Sequence, residues 1–196
     1  MISTHSEIFF DCVKETCSVI DTGKIENLAR ALLMLRTNGG RLFFIGVGGS
    51  AANCSHAVND FRKLCGIKTF TPVDNVAELT ARANDEGWNT IFGGWLLASN
   101  FCDQDALFVL SVGGGDLRSN VSVCIVNAVD LARSIGAKVF GIIGRASGYT
   151  AKHGDAVIVI PEVKSEWVTP LSEAFQSVVL HCLVSHPLLQ INKTKW

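Results

Sequence analysis

The chain has 196 residues, of which 48% are hydrophobic, and 17 Lys and Arg nearly balance 18 Asp and Glu for a net charge of -1. That size suits one domain with a sizeable core, and the charge balance excludes both a basic footprint for nucleic acid and a polybasic membrane patch. No apolar run approaches the eighteen or so residues of a membrane span, so the mean hydropathy of +0.31 points to apolar surface buried between subunits.

Two helices are predicted over 5–20 and 24–38. The second carries Ile25, Leu28, Leu32 and Leu35 at helical spacing and stops at Gly39 and Gly40. "RLFFIG" (41–46) reads as a buried strand, 51–65 as a helix and "IKTFTP" as a short strand. "NVAELTARAND" and "NTIFGGWLLASN" read as helices parted at Gly87, with Trp88 and Phe92 expected to pack. A buried strand over 106–112 leads into "GGGD" and a helix over 117–135. Two further strands, "AKVFGIIG" and "DAVIVIP", precede a closing helix over about 170–185, ended by Pro187.

Apolar strands alternating with helices predict an α/β fold with a parallel sheet covered on both faces. The expectation is one domain over 1–196, with the helices of residues 1–40 outside the sheet pattern and used in oligomerisation. The opening "MISTHSEIFFDCVKE" lacks a basic segment followed by an apolar one, so no signal peptide is expected. Seven scattered cysteines with no CxxC fit a reduced, cytoplasmic compartment, as small core residues. His5, His153 and His186 lack a partner pattern and are expected at the surface.

"FFIGVGGS" and "FVLSVGGGD" are both strand, glycine turn, helix. Glycines let backbone amides approach an anion, and a helix N-terminus adds partial positive charge. Two such turns at the carboxyl ends of strands would form opposite walls of one crevice. A phosphate suits both, with Ser50, Ser111 and Ser119 as added hydroxyls; the plainer reading is that strand-to-helix turns favour glycine. "GVGGSA" also fits the dinucleotide fingerprint, but Asp74 follows the next strand only after a proline and a valine, and the lysine-bearing P-loop is absent. No nucleotide cofactor is expected.

His56 and Asp60, at i and i+4, share a helix face. As a surface pair they need be no more than a local hydrogen bond. The largely apolar closing helix also carries Glu173, Gln176 and His181, with Glu173 and His181 about 12 Å apart at the helical rise. Two histidines and two carboxylates make a credible zinc shell.

"GVGGSAANCSHAVNDF", "ARANDEGWNTIF" and "SVGGGDLRSNV", in that order, resemble the phosphoheptose isomerases (sedoheptulose 7-phosphate isomerases) of the sugar isomerase, or SIS, phosphosugar-binding fold. The resemblance implies a five-stranded parallel sheet in three layers and a homotetramer with active sites between subunits. It also implies conversion of sedoheptulose 7-phosphate to D-glycero-D-manno-heptose 7-phosphate through an enediol. It assigns a phosphate or substrate role to Ser50 and sugar contacts to Asn84 and Asp85, while the glycine-turn reading adds Gly48, Gly49, Ser111, Gly113, Gly114, Gly115 and Ser119 as phosphate-binding residues. It assigns catalysis to Asp60, His181 and Glu173. Some members bind zinc at the positions of His56, Asp60, Glu173 and His181. Aldose–ketose isomerisation needs a base at carbon and a proton donor at oxygen, which Asp60 and His181 would supply, with or without zinc.

Three features depart from the family pattern. The second loop, usually rich in Ser and Thr, is here glycine-rich with two extra residues, and Asp116 reads as a helix N-cap. Asp60 stands for a glutamate, and Glu173 for a glutamine. A non-catalytic phosphosugar-binding protein, or an isomerase of another sugar phosphate, is the alternative.

Overall fold

The computed structural model describes residues 3–194. Five parallel strands form one sheet in the order β2-β1-β3-β4-β5. They are β1 (Arg41–Ile45), β2 (Lys68–Phe70), β3 (Ala106–Ser111), β4 (Lys138–Ile143) and β5 (Ala156–Val159). The helices are α1 (His5–Val19), α2 (Thr22–Thr37), α3 (Gly49–Cys65), α4 (Val76–Asp85), α5 (Ile91–Ala98), α6 (Val123–Ile135), α7 (Tyr149–His153) and α8 (Val168–Val184).

Successive strand side chains point to opposite faces, so the apolar strands serve two cores. Leu42 and Phe44 pack with α2, α3 and α8, whereas Phe43 and Ile45 pack with α5 and α6. The central strand β3 is buried at all six positions. Helix α3 leaves β1 on one face and α6 follows β3 on the other. Their diverging starts open a crevice at the carboxyl ends of β1 and β3, where chain direction across the sheet switches.

Helix α3 begins two residues earlier than expected, which places Gly49 and Ser50 in its first turn. Helix α6 begins six residues later than expected. Asp116 and Val121 exchange backbone hydrogen bonds of 2.9 and 3.0 Å, closing residues 116–121 as a small loop. Asn120 and Ser122 then take positive φ values of 53° and 50°, which a right-handed helix cannot accommodate. Asp116 is therefore not a helix N-cap: its carboxylate accepts from the amides of Arg118 and Ser119 and from Ser119 Oγ. Phe92 is buried as expected, but Trp88 is 48% exposed.

Cys12, Cys54, Cys65 and Cys124 are core residues, and burial pushes the Cys65 thiol up to about 11. Cys17 and Cys182 are exposed, against expectation. The far end of α3 is fastened by the tail. Arg36 donates to the carbonyls of Cys65, Leu188 and Leu189, and the amides of Ile191 and Asn192 donate to Leu64.

Candidate active site

Helices α3 and α8 pack side by side in the same direction, with Ser177 level with Asn53 and His181 level with Asp60. Both start at the carboxyl end of the sheet. His56 and Asp60 therefore meet His181 on one ridge. Asp60 Oδ2 lies 3.1 Å from His56 Nε2 and 3.7 Å from His181 Nε2, and the two Nε2 atoms are 3.4 Å apart. Asp60 is buried while both imidazoles are exposed. Its other oxygen accepts from Asn59 Nδ2 at 2.9 Å. The cleft between the helices beside these groups is about 10 Å³, which is the scale of one water. A sugar must approach from the solvent side, over the imidazoles.

Glu173 does not join this trio. Its carboxylate lies against Gly49: a Cβ built there would stand 2.6 Å from Cδ and Oε2 and 2.8 Å from Oε1. Between the two groups, Asn53 Nδ2 donates to Glu173 O and to Gln176 Oε1, both at 3.0 Å, and Ser177 Oγ donates to Asn53 Oδ1 at 2.9 Å. This polar lock keeps the helices in register. Sequence reading missed Asn53 and Ser177; their only signal is polar residues spaced three or four from Ser50, His56, Glu173 and His181.

Gly48 caps α3 with φ 65° and no side-chain hydrogen bond, which leaves the first-turn amides of Gly49 and Ser50 facing the crevice end of the helix. Ser50 is 1% exposed, and its Oγ has no partner among the described residues. In the second turn, Ser111 Oγ accepts from the Gly114 amide at 3.0 Å. The Gly114 carbonyl accepts from Thr150 N and Oγ1, and the Gly115 carbonyl from Tyr149 N. Both carbonyls are thus committed to the first turn of α7. Gly114 holds a φ of +72°, a conformation that L side chains rarely adopt.

Ser119 sits in the exposed loop with its hydroxyl committed to Asp116. Hydrogen bonds from Ser119 and the Arg118 amide hold the Asp116 carboxyl below its ordinary range. Asn84 and Asp85 are exposed at the end of α4, bonded to each other at 2.7 Å. His186 is only partly exposed and reaches Glu26 at 3.2 Å, and the His153 ring lies 4.1 Å from that of Tyr149.

The donor atoms of His56, Asp60 and His181 all lie within 4.8 Å of one another. Two neutral imidazoles and a carboxylate are a donor set that zinc accepts, and three protein ligands leave a position open, as catalytic zinc requires. The residues fit the ion that the resemblance implies, with Glu173 outside the shell.

The SIS domain model matches residues 8–144. The phosphoheptose isomerase of Chlorobaculum tepidum is 28% identical over 160 residues, covering 78% of this chain and 73% of that protein. The phosphoheptose isomerase of Mycobacterium tuberculosis is 28% identical over 169 residues, covering 81% and 82%. In three dimensions the phosphoheptose isomerase of Neisseria gonorrhoeae aligns with a TM-score of 0.76 at 20% identity, over 92% of each chain. That of Francisella tularensis gives 0.76 at 22% identity, over 93% and 97%. With a matching family model over residues 8–144 and the five-stranded parallel sheet in common, this chain belongs to the SIS domain family.

Proposed function

We propose that the chain is a sugar-phosphate aldose–ketose isomerase, with sedoheptulose 7-phosphate as substrate and D-glycero-D-manno-heptose 7-phosphate as product. The names of the relatives support this reading, and one observation carries it: His56, Asp60 and His181 converge within 4.8 Å on an open ridge. Asp60 takes the proton from carbon. Its Oδ2 faces both imidazoles, 3.1 Å from His56 Nε2 and 3.7 Å from His181 Nε2. His181, exposed at the ridge, returns a proton to the neighbouring oxygen, and His56 holds Asp60 in place at 3.1 Å. Where zinc is bound, His56, Asp60 and His181 hold it, and it supplies Lewis acidity at the sugar carbonyl. The phosphate is bound in the second turn by the backbone amides of Gly113 and Gly115, with the turn fixed by the Gly114 amide donating to Ser111 Oγ at 3.0 Å. Ser50 binds sugar hydroxyls, and Asn84 and Asp85 contact the sugar from α4.

The active unit is a cytoplasmic homotetramer in which α1 packs between subunits. Only Cys12 and Thr16 of α1 are buried, while Phe10 is 62% exposed. Among the described residues no helix is long and apolar enough to cross a membrane. The test is turnover of sedoheptulose 7-phosphate in deuterated water. Aldose formation with deuterium entering carbon is expected; binding without exchange would leave a phosphosugar-binding protein.

A further inference from the structure

We infer that Asn59 is a positioning residue of the ridge: it holds Asp60 as a one-oxygen partner of His56 and His181, and so tunes the trio to an ion that takes few ligands, such as zinc, over ions that gather many oxygens. This deepens the reading of the trio as a cation site and rests on it.

Asn59 precedes Asp60 on α3 and follows His56 by three residues, so its side chain borders both. Asn59 Nδ2 donates to Asp60 Oδ1 at 2.9 Å. An ionised carboxylate only accepts, so the amide must turn its nitrogen towards it. The other oxygen, Oδ2, is the one beside the imidazoles, 3.1 Å from His56 Nε2 and 3.7 Å from His181 Nε2. The two oxygens are thereby divided: one is tied to Asn59 and one is turned to the ring nitrogens.

Among the described residues lining the cleft, no other side chain apart from the two imidazoles can take over this task. Ala57, Leu180 and Val184 have no donor, and the Ser177 hydroxyl is given to Asn53. Asp60 is only 6% exposed, so solvent is a poor substitute. Asn59 itself is exposed, and it can be changed without disturbing the core.

The division matters because a carboxylate can give an ion one oxygen or two. Two oxygens suit ions that collect many oxygen ligands, manganese among them. One oxygen beside two imidazoles suits zinc or cobalt, which accept few nitrogen and oxygen ligands and keep a position open for substrate. Hydrogen bonds that orient a ligating group are worth about 10- to 100-fold in metal affinity. Without Asn59, Asp60 is free to turn both oxygens to the ion.

Calorimetric titration of the full, metal-free chain with zinc and with manganese tests this, together with the visible spectrum of the cobalt-loaded chain. Wild type should bind one zinc and give the intense band of four-coordinate cobalt. Asn59→Leu and Asn59→Ala should bind zinc about 10- to 100-fold more weakly. Both should narrow the preference for zinc over manganese and weaken the cobalt band, as a higher coordination number requires. Asn59→Gln keeps the donor and should stay near wild type. The metal-free melting temperature should be the same in all four proteins, which separates positioning from a merely structural role. Unchanged zinc affinity and cobalt spectrum in Asn59→Leu and Asn59→Ala, an equal loss in Asn59→Gln, a parallel drop in the metal-free melting temperature, or no zinc on wild type overturns the inference. Turnover of sedoheptulose 7-phosphate is scored separately, so a chain that binds metal as expected yet converts no ketose phosphate would sink the isomerase reading alone.

Discussion

The Nε2 atoms of His56 and His181 lie 3.4 Å apart, although 125 residues separate them in the chain. Asp60 Oδ2 is in reach of both, at 3.1 and 3.7 Å, so one carboxylate oxygen and two ring nitrogens converge where a single cation can be held.

Replacing Asp60 with Asn keeps the shape of the ridge and removes the base. Turnover of sedoheptulose 7-phosphate should fall on the order of 10²-fold or more, with a small change in substrate affinity. His181→Ala should lose a similar factor. Steady-state kinetics with the folded variants check this, and full activity in Asp60→Asn would transfer the role of base to Glu173.

Zinc uptake separates the trio from Glu173. The zinc-to-protein ratio, measured by elemental analysis after dialysis, should collapse in His56→Ala and His181→Ala. It should stay near the wild-type value in Glu173→Gln, because that carboxylate lies against Gly49. Loss of zinc in Glu173→Gln would place the carboxylate in the shell after all.

Gly114→Val tests the second turn. The backbone there has φ +72°, and a new Cβ would come within 3.1 Å of Ile143. A β-branched residue in that conformation costs on the order of 1–3 kcal/mol. It should lower the melting temperature and weaken phosphate binding by tenfold or more in calorimetry. Unchanged affinity would move the phosphate elsewhere.

Acid should loosen the sheet's lower edge through Asp105. Burial pushes its carboxyl up, but hydrogen bonds from Arg41 and from the Cys102 and Arg41 amides outweigh burial and leave it below the ordinary value. A depressed carboxylate contributes stability that is complete above its unfolded pKa of about 4 and is lost as pH falls through the folded value. Asp105→Asn removes the charge 2.6 Å from Arg41, which keeps the Ser99 and Asn100 carbonyls, and should cost about 1.5–3 kcal/mol at neutral pH. The variant should also show a flatter stability profile as pH falls below about 4 in urea titrations.

Light scattering at micromolar concentration should report a tetramer. Substituting Phe10, exposed on α1, with Glu should shift it to smaller species while leaving the sheet intact by circular dichroism.

The strand pattern was legible because each strand is a short apolar run flanked by glycine, proline or polar turns, and parallel strands buried on both faces need no alternation. Helix α6 was misplaced because Asp116 has the chemistry of a cap, and nothing local reveals that Val121 pairs back to it. The site was half legible. His56 and Asp60 share a face by spacing alone, and only the packing of α8 along α3 adds His181. Spacing on α8 suggested that Glu173 and His181 serve one ligand. The parallel packing instead gives each its own level on α3, Gly49 for one and Asp60 for the other. Asn53 drew no attention because an Asn in a helix has many ordinary uses.

The tail that fastens α3 has a consequence for synthesis. Carbonyls of its last turn are satisfied by Arg36, Ile191 and Asn192. His181 and these tail residues leave the ribosome after every strand of the sheet. A nascent chain can therefore assemble all five strands while α3 still lacks both its ridge partner and its end clasp. Synthesis thus supplies every strand before the residues that bring His181 to Asp60 and close the end of α3.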